Sequence, residues 1–511
     1  MKNNIAKSSF IILVISLLSK LMGIIRQSII NFFYGQTEVT DAYNIAYRTA
    51  LLSTFVINTT INLVLIPIMS KVKEKEGIKN KDKYFSKILN YVVIIDILLT
   101  ILVIIFAPIL VKIRAVGFTG EQFDLTVRMV RIIAPSVVFL GVVSCVGAYL
   151  HSNYSFGPFA AVGIINNLAF FIFLYIFGEN SSIELVAWIT TIGAILQAIF
   201  LILFMFKYKF KYSIELNYKD NHIKETFILL IPMIMNEMIA QISIIFNDTI
   251  GSTLKAGRIS VLNTSYNLFG SILNLFVATI ATVVYPTLSE AFNSKDFELI
   301  KKYIKNGINT MLLFLVPATI GIIVLSEPIV ILLFERGEFT RENTVLTQTA
   351  LICYAIGMVA NGIKIYLNKV YFSFQDTITP FKNQIITVVL HIAFALILVK
   401  QFEYKGLALA SSLSAIITCL ILILRLKNKI KDIGFKDLAI TFIKVLIASL
   451  LMGIVVFITY TGSIKVLGEG TIKLILSTFL SIGLGMLIYI LAIYRLKIEE
   501  VNTVIEKIRK R

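Results

Sequence analysis

Apolar runs of about 20 residues recur from one end of this chain to the other, each long enough to cross a hydrocarbon core of about 30 Å as a helix. About 14 can be counted, centred near residues 18, 56, 99, 138, 167, 195, 238, 274, 318, 356, 389, 415, 448 and 482. In lipid every backbone N–H and C=O must be satisfied inside the segment, so such a chain is expected to fold as an all-α polytopic bundle. At 57% hydrophobic and 15% charged residues, with mean hydropathy +0.85, a soluble fold is excluded. No gap between runs could hold a separate soluble domain. Lys2 and Lys7 precede the first run as in a signal peptide. Lys20 and Arg26 follow within it and no small-x-small cleavage site is evident, so a retained helix is expected.

The chain also repeats itself at a lag of about 220 residues, as parallel-repeat transporters do. Ile66-Pro67-Ile68-Met69-Ser70 returns as Tyr285-Pro286-Thr287-Leu288-Ser289. Pro108-Ile109, then Gly117-Phe118-Thr119 and Leu125-Thr126, return as Pro328-Ile329, Gly337, Phe339-Thr340 and Leu346-Thr347. About six spans fit in one lag, an even number, so both copies enter the membrane with the same orientation. The expectation is two six-helix lobes, residues 1–212 and 213–430, with two further helices and a basic tail over 431–511. Gly117 and Gly337 read as turn residues, and Pro67 and Pro286 as shaping helix ends.

The net charge of +18 follows topology. Lysines crowd alternate loops at 71–87, 207–224, 295–305, 425–436 and 507–511, whereas 34–40 and 178–184 carry no Lys or Arg. The positive-inside rule then puts both termini in the cytoplasm, and anionic lipids, not nucleic acid, are the partners of the basic loops. Cys145, Cys353 and Cys419 lie in apolar runs and read as core. His151, His222 and His391 are too scattered for a catalytic or zinc set, and phosphate-loop, G-x-S-x-G and H-E-x-x-H patterns are absent. No metal or cofactor is expected, and the chain reads as a transporter, not an enzyme.

Ionisable groups inside the spans carry the most information, because each costs about 2.5–3.5 kcal/mol at a helix centre. Lys20, Arg26, Asp41, Arg48, Arg128 and Arg131 give the first lobe a cationic bias; Asp96, Glu237, Asp248, Lys364 and Lys369 lie in other spans. A cationic wall suits a phosphate or diphosphate. Asp41 and Arg48, seven apart on one helical face, could instead neutralise each other, and Lys20, Arg48 and Arg128 could snorkel to an interface. Asp96, an isolated acid near a span centre, reads as a helix–helix contact ahead of a proton site.

Several segments together resemble the MurJ (MviN) lipid II flippases of the multidrug/oligosaccharidyl-lipid/polysaccharide exporter superfamily. They are Leu21-Met22-Gly23-Ile24-Ile25-Arg26 with Thr40-Asp41-Ala42-Tyr43-Asn44-Ile45-Ala46-Tyr47-Arg48, and Ile259-Ser260-Val261-Leu262-Asn263. The most specific is Leu333-Phe334-Glu335-Arg336-Gly337-Glu338-Phe339-Thr340, followed by Tyr371-Phe372-Ser373-Phe374-Gln375-Asp376-Thr377-Ile378-Thr379-Pro380. The resemblance implies 14 helices, with the last two associated with a groove for the lipid tail. Arg26 matches a cavity arginine, Asp41 a common acid, and Lys20 a position often held by Arg. The chain departs from the pattern at Gln27, beside Arg26, and at Thr54 and Asn267, which stand where further cavity arginines are expected. Asn247, next to Asp248, stands where some members have a sodium-associated Asp, with His391, Ala395 and Ser411 where that ion draws other ligands.

The implied activity is translocation of an undecaprenyl-diphosphate-linked peptidoglycan precursor from the inner to the outer leaflet of the bacterial cytoplasmic membrane by alternating access. The diphosphate would meet Arg26 and Lys20, with Arg48, Asp41, Asn267 and Thr54 around it; Asn247, Asp248 and Ser411 are weak ion-site candidates. Coupling to membrane potential or to a monovalent cation stays open. A lipid-linked oligosaccharide, membrane lipids and the cell-wall synthesis machinery are the expected partners of a monomer. The alternative is an exporter of another polyprenyl-linked glycan of teichoic-acid, capsule or O-unit type. A cation-coupled small-molecule antiporter would want an acid-rich cavity, which the basic first lobe argues against.

Overall fold

The computed structural model describes residues 2–177, 181–217, 219–293, 297–430, 434–468 and 470–496. Among them the chain is all helix, with no strand. The first helices are α1 (Lys2–Tyr34), α2 (Glu38–Ala50), α3 (Leu52–Glu76), α4 (Ile78–Arg114), α5 (Gly120–Ile133) and α6 (Ser136–Ser152). Then come α7 (Gly157–Phe177), α8 (Glu184–Phe206), α9 (Asn221–Gly251), α10 (Arg258–Asn293), α11 (Phe297–Phe334) and α12 (Arg341–Ala355). The last are α13 (Met358–Ser373), α14 (Ile378–Phe402), α15 (Tyr404–Ile430), α16 (Phe435–Leu467) and α17 (Thr471–Arg495). Lys295 and the basic tail from Lys507 lie outside the described residues.

Among the described residues eleven helical spans are long and apolar enough to cross a membrane, or twelve if α12 and α13, bent by 47°, count as one. That count covers the described residues alone and does not test the expected 14. The runs expected near 56 and 274 fall on α3 and α10, which hold the same place in the two copies of the repeat. Both are helical, and the side chains of residues 55–59 in α3 and 278–291 in α10 lie outside the described ones, so neither helix enters that count whole.

The repeat is visible in the order of elements. Pro108 lies inside α4 and Pro328 inside α11; a turn holding Gly117 or Gly337 follows, and then a broken helix, α5/α6 or α12/α13. Gly337 adopts φ +60, where a side chain would be strained. Pro67 does not shape a helix end: it sits inside α3. The matching Pro286 side chain lies outside the described ones.

Two compact units emerge, Met1–Ser260 with Gly337–Phe339, and Val261–Arg336 with Thr340–Arg511. In the first, α3 packs against α4, α6 and α9, and α7 against α1 and α8. One apolar core joins Ile45 of α2, Val111 of α4 and Val130 of α5; another joins Leu65 of α3, Phe85 of α4 and Cys145 of α6. Helix α9, which the repeat assigns to the second copy, groups with this unit through polar ties to α3 and α4. The Tyr84 and Thr226 hydroxyls lie 2.6 Å apart, Lys71 pairs with Glu225 at 2.9 Å and Lys87 with Asp220 at 2.9 Å. Asp220 also caps α9 by accepting from the His222 backbone N–H at 2.9 Å. Burial pushes the Asp220 carboxyl up, but the Lys87 ammonium and the His222 N–H outweigh it and hold the group below its ordinary value.

In the second unit α11 packs against α12, α13, α16 and α17, and α14 against α15. The Tyr489 hydroxyl of α17 donates to the Leu313 carbonyl at 2.7 Å. Ser412 of α15 accepts from the Gly357 N–H at 3.1 Å and donates to the Cys353 carbonyl at 2.6 Å, which satisfies backbone freed at the α12/α13 break. All three cysteines are free and buried, as core residues should be.

Candidate functional site

Arg26 is half-buried on α1, its Cζ 4.9 Å from the centre of the Phe170 ring of α7. That ring face attracts the guanidinium and holds it in place. The Arg26 Nε is buried and has no hydrogen-bond partner among the described residues. A charged N–H in that condition is costly unless an acceptor arrives, and a phosphate oxygen is a fitting one. Lys20 is exposed. Six residues from Arg26, it is turned from it by about 120° around α1, so that helix does not present the two cations side by side.

Asp41 is 2% exposed and fully engaged. Its carboxylate accepts from the backbone N–H of Gly257 at 2.7 Å and of Ser260 at 2.6 Å, at the first turn of α10. Thr40 and Asn44 both reach the Ser260 hydroxyl at 3.0 Å, so one face of α2 binds that helix start. The arrangement satisfies orphan N–H groups and sets a negative charge at the positive end of the helix dipole. Gly257 has φ +81, and a Cβ there would run into the Gln36 carbonyl. Gly257→Ala is therefore expected to destabilise the chain by more than the ordinary cost of about 1 kcal/mol for a strained site, read as a lowered thermal midpoint in detergent.

Arg48 and Asp41 do not neutralise each other, because each is committed elsewhere. Arg48 pairs with Asp248 of α9, whose second oxygen accepts from Nε of Arg114 at 2.7 Å. Arg114 Nη1 also donates to the Arg48 carbonyl at 2.7 Å. Asp248 and Arg114 side chains are 2% and 5% exposed, so two guanidinium groups share one buried carboxylate. Asp248 is thereby occupied by arginines in this structure. Thr54 is buried and its hydroxyl has no partner among the described residues, whereas Asn247 is half-buried and bonded.

In the second unit Asn267 is exposed on α10 and Ser411 half-buried on α15. His391 is 4% exposed and Ala395 fully buried. Lys364 of α13 lies within electrostatic reach of both His391 and Cys419. Among the described residues no three His, Cys, Asp or Glu side chains come together in a way that could hold a metal ion.

The sequence reading missed Arg114, Gly257 and the role of Ser260. Arg114 closes a long apolar helix and looks there like any interfacial arginine. The spacing Thr40, Asp41, Asn44 on one helical face was a usable sign of a polar helix contact. Nothing in it named the partner.

The family model described as lipid II flippase MurJ matches residues 30–481. A curated protein of Rickettsia prowazekii (strain Madrid E), named a probable lipid II flippase MurJ, is 28% identical over 416 residues, 80% of this chain and 81% of its own. The solved structure of a lipid II flippase MurJ in an inward closed conformation superposes with TM-score 0.78 at 24% identity, covering 94% of this chain and 98% of that one. An inward-facing multidrug resistance MATE transporter of the MOP superfamily shares the fold at TM-score 0.71 and 12% identity, covering 83% of this chain and 98% of that one. With a family match that spans most of its length and a bundle of the matching fold, the chain belongs to the lipid II flippase MurJ family of multi-pass membrane transporters.

Proposed function

We propose that this protein flips lipid II, the undecaprenyl-diphosphate-linked peptidoglycan precursor, from the inner to the outer leaflet of a bacterial cytoplasmic membrane, as a monomer with both termini cytoplasmic. Membership of the family supports the cargo, and the relatives' names give no support to a teichoic-acid, capsule or O-unit substrate. The observation that carries the chemistry is the buried, unpaired Nε of Arg26, held by Phe170 and in want of an acceptor. Arg26 takes a diphosphate oxygen, and the exposed ammonium of Lys20 adds charge at the approach. Asp41, Arg48 and Asp248 hold helices in register and do not touch the head group. Two negative charges leaving a negative interior gain about 4–5 kcal/mol per 100 mV if they cross the whole field, which is enough for membrane potential to bias the cycle toward export.

In a strain depleted of its own lipid II flippase, the wild-type chain is expected to restore growth. Arg26→Ala should abolish rescue, Arg26→Lys should restore part of it, and Cys145→Ala should behave as wild type. Failure of the wild-type chain to rescue, together with export of a different polyprenyl-linked glycan, would overturn the assignment.

A further inference from the structure

Asp96 stands at the centre of α4, with about 27 Å of helix on either side of it. The carboxyl belongs to the apolar stretch of that helix, which begins just past Asn90 and Tyr91 and reaches a mean hydropathy of 3.0. The residue is 1% exposed, and among the described residues neither carboxyl oxygen has a hydrogen-bond partner. Across the helix contact lies Gly141 of α6, and a Cβ at that position would overlap the Asp96 Oδ2. The acid is thus received by the bare backbone of a glycine, beside Val92 on its own helix.

The groups that could neutralise a carboxylate there are absent or engaged. From α6 the Cys145 thiol is in electrostatic reach, but a thiol has no positive charge to offer a carboxylate. From α2 and α9, Arg48 and Asp248 are spent on each other, and Glu237 of α9 has no interaction with Asp96. From α5, Arg131 donates to the Ile104 carbonyl at 3.3 Å. No charged side chain of α3 is in electrostatic reach of it among the described residues. An ionised carboxylate buried without donors or a counter-ion costs far more than a fold's margin of stability; the neutral acid costs only its hydrogen bonds.

We propose that Asp96 is a proton-binding site: one proton, taken from water, resides on this carboxyl while α4 and α6 are packed as described. Separation of the two helices would wet the carboxyl and release the proton, so any step of the cycle that opens this contact is linked to proton exchange. This linkage is independent of the cargo and of Arg26.

Infrared spectroscopy of the full chain in lipid vesicles at neutral pH tests it, with aspartate carboxyls carbon-13 labelled. The wild type should show an isotope-shifted carboxylic-acid C=O band that Asp96→Asn lacks. Gly141→Ala, whose methyl lands against Oδ2, should displace the band. Absence of a protonated-aspartate band from the wild type overturns the proposal, and so does a band that survives in Asp96→Asn. Should Asp96→Asn fail to fold, a wild-type band that Gly141→Ala displaces upholds the site, and one it leaves unmoved belongs to another carboxyl and refutes it.

Discussion

Asp248→Ala is expected to cost about 3–5 kcal/mol, because it strands the buried guanidinium of Arg114 beside the half-buried one of Arg48. In the wild type the single carboxylate lies between Arg48 and Arg114, and the second arginine also reaches the first one's carbonyl. Removal of the acid leaves like charges side by side with no counter-charge. Asp248→Asn should cost less, since the amide oxygen can still accept from one arginine. The check is a thermal unfolding midpoint in detergent, measured for Asp248→Ala, Arg48→Ala and both together. The double variant should recover part of the loss, as coupled residues do. A single-variant midpoint no lower than that of exposed-site variants would show that the trio does not hold α9 to α2 and α4.

Asp41→Ala should be comparably damaging, for a different reason. Two backbone N–H groups, those of Gly257 and Ser260, lose a charged acceptor inside a buried contact. Hydrogen bonds to charged groups are each worth about 1.5–3 kcal/mol, so a combined loss of roughly 3–6 kcal/mol is expected. The local readout is amide hydrogen exchange. The two amides should exchange on the order of 100-fold faster in Asp41→Ala, with Asp41→Asn between that and wild type. Unchanged protection at both amides would show that other groups cap the start of α10.

A fold of spanning helices was legible because hydrophobic length is a local property, read without any partner. The repeat was legible for the same reason: Pro108 with Gly117, and Pro328 with Gly337, recur in one order and mark the same kink and turn in each copy. The apolar runs near 56 and 274 were legible in the same way, and both are helical, as α3 and α10. The family, too, rested on contiguous stretches, above all the segment around Gly337.

The candidate site was legible only in its residue types. Arg26 was chosen as a cation facing polar cargo, and the structure adds its unpaired Nε and the Phe170 face. Asp41 and Arg48 were read together because seven residues put them on one helical face, yet their partners lie 219 and 200 residues away. Periodicity ranks neighbours along one helix and is silent about which distant helix start or carboxylate will be brought against them.

The sequence by itself thus determined a helical membrane bundle with an internal repeat, basic alternate loops and membership of a flippase family. Each follows from local hydropathy, charge and motif. Only the tertiary structure decided which intramembrane charges are spent on holding helices and which are left with something to bind. That division depends on desolvation and hydrogen-bond geometry at helix contacts: Asp248 is satisfied by two arginines and Asp41 by a helix start, while Arg26 keeps an unmet donor and Asp96 an unmet carboxyl.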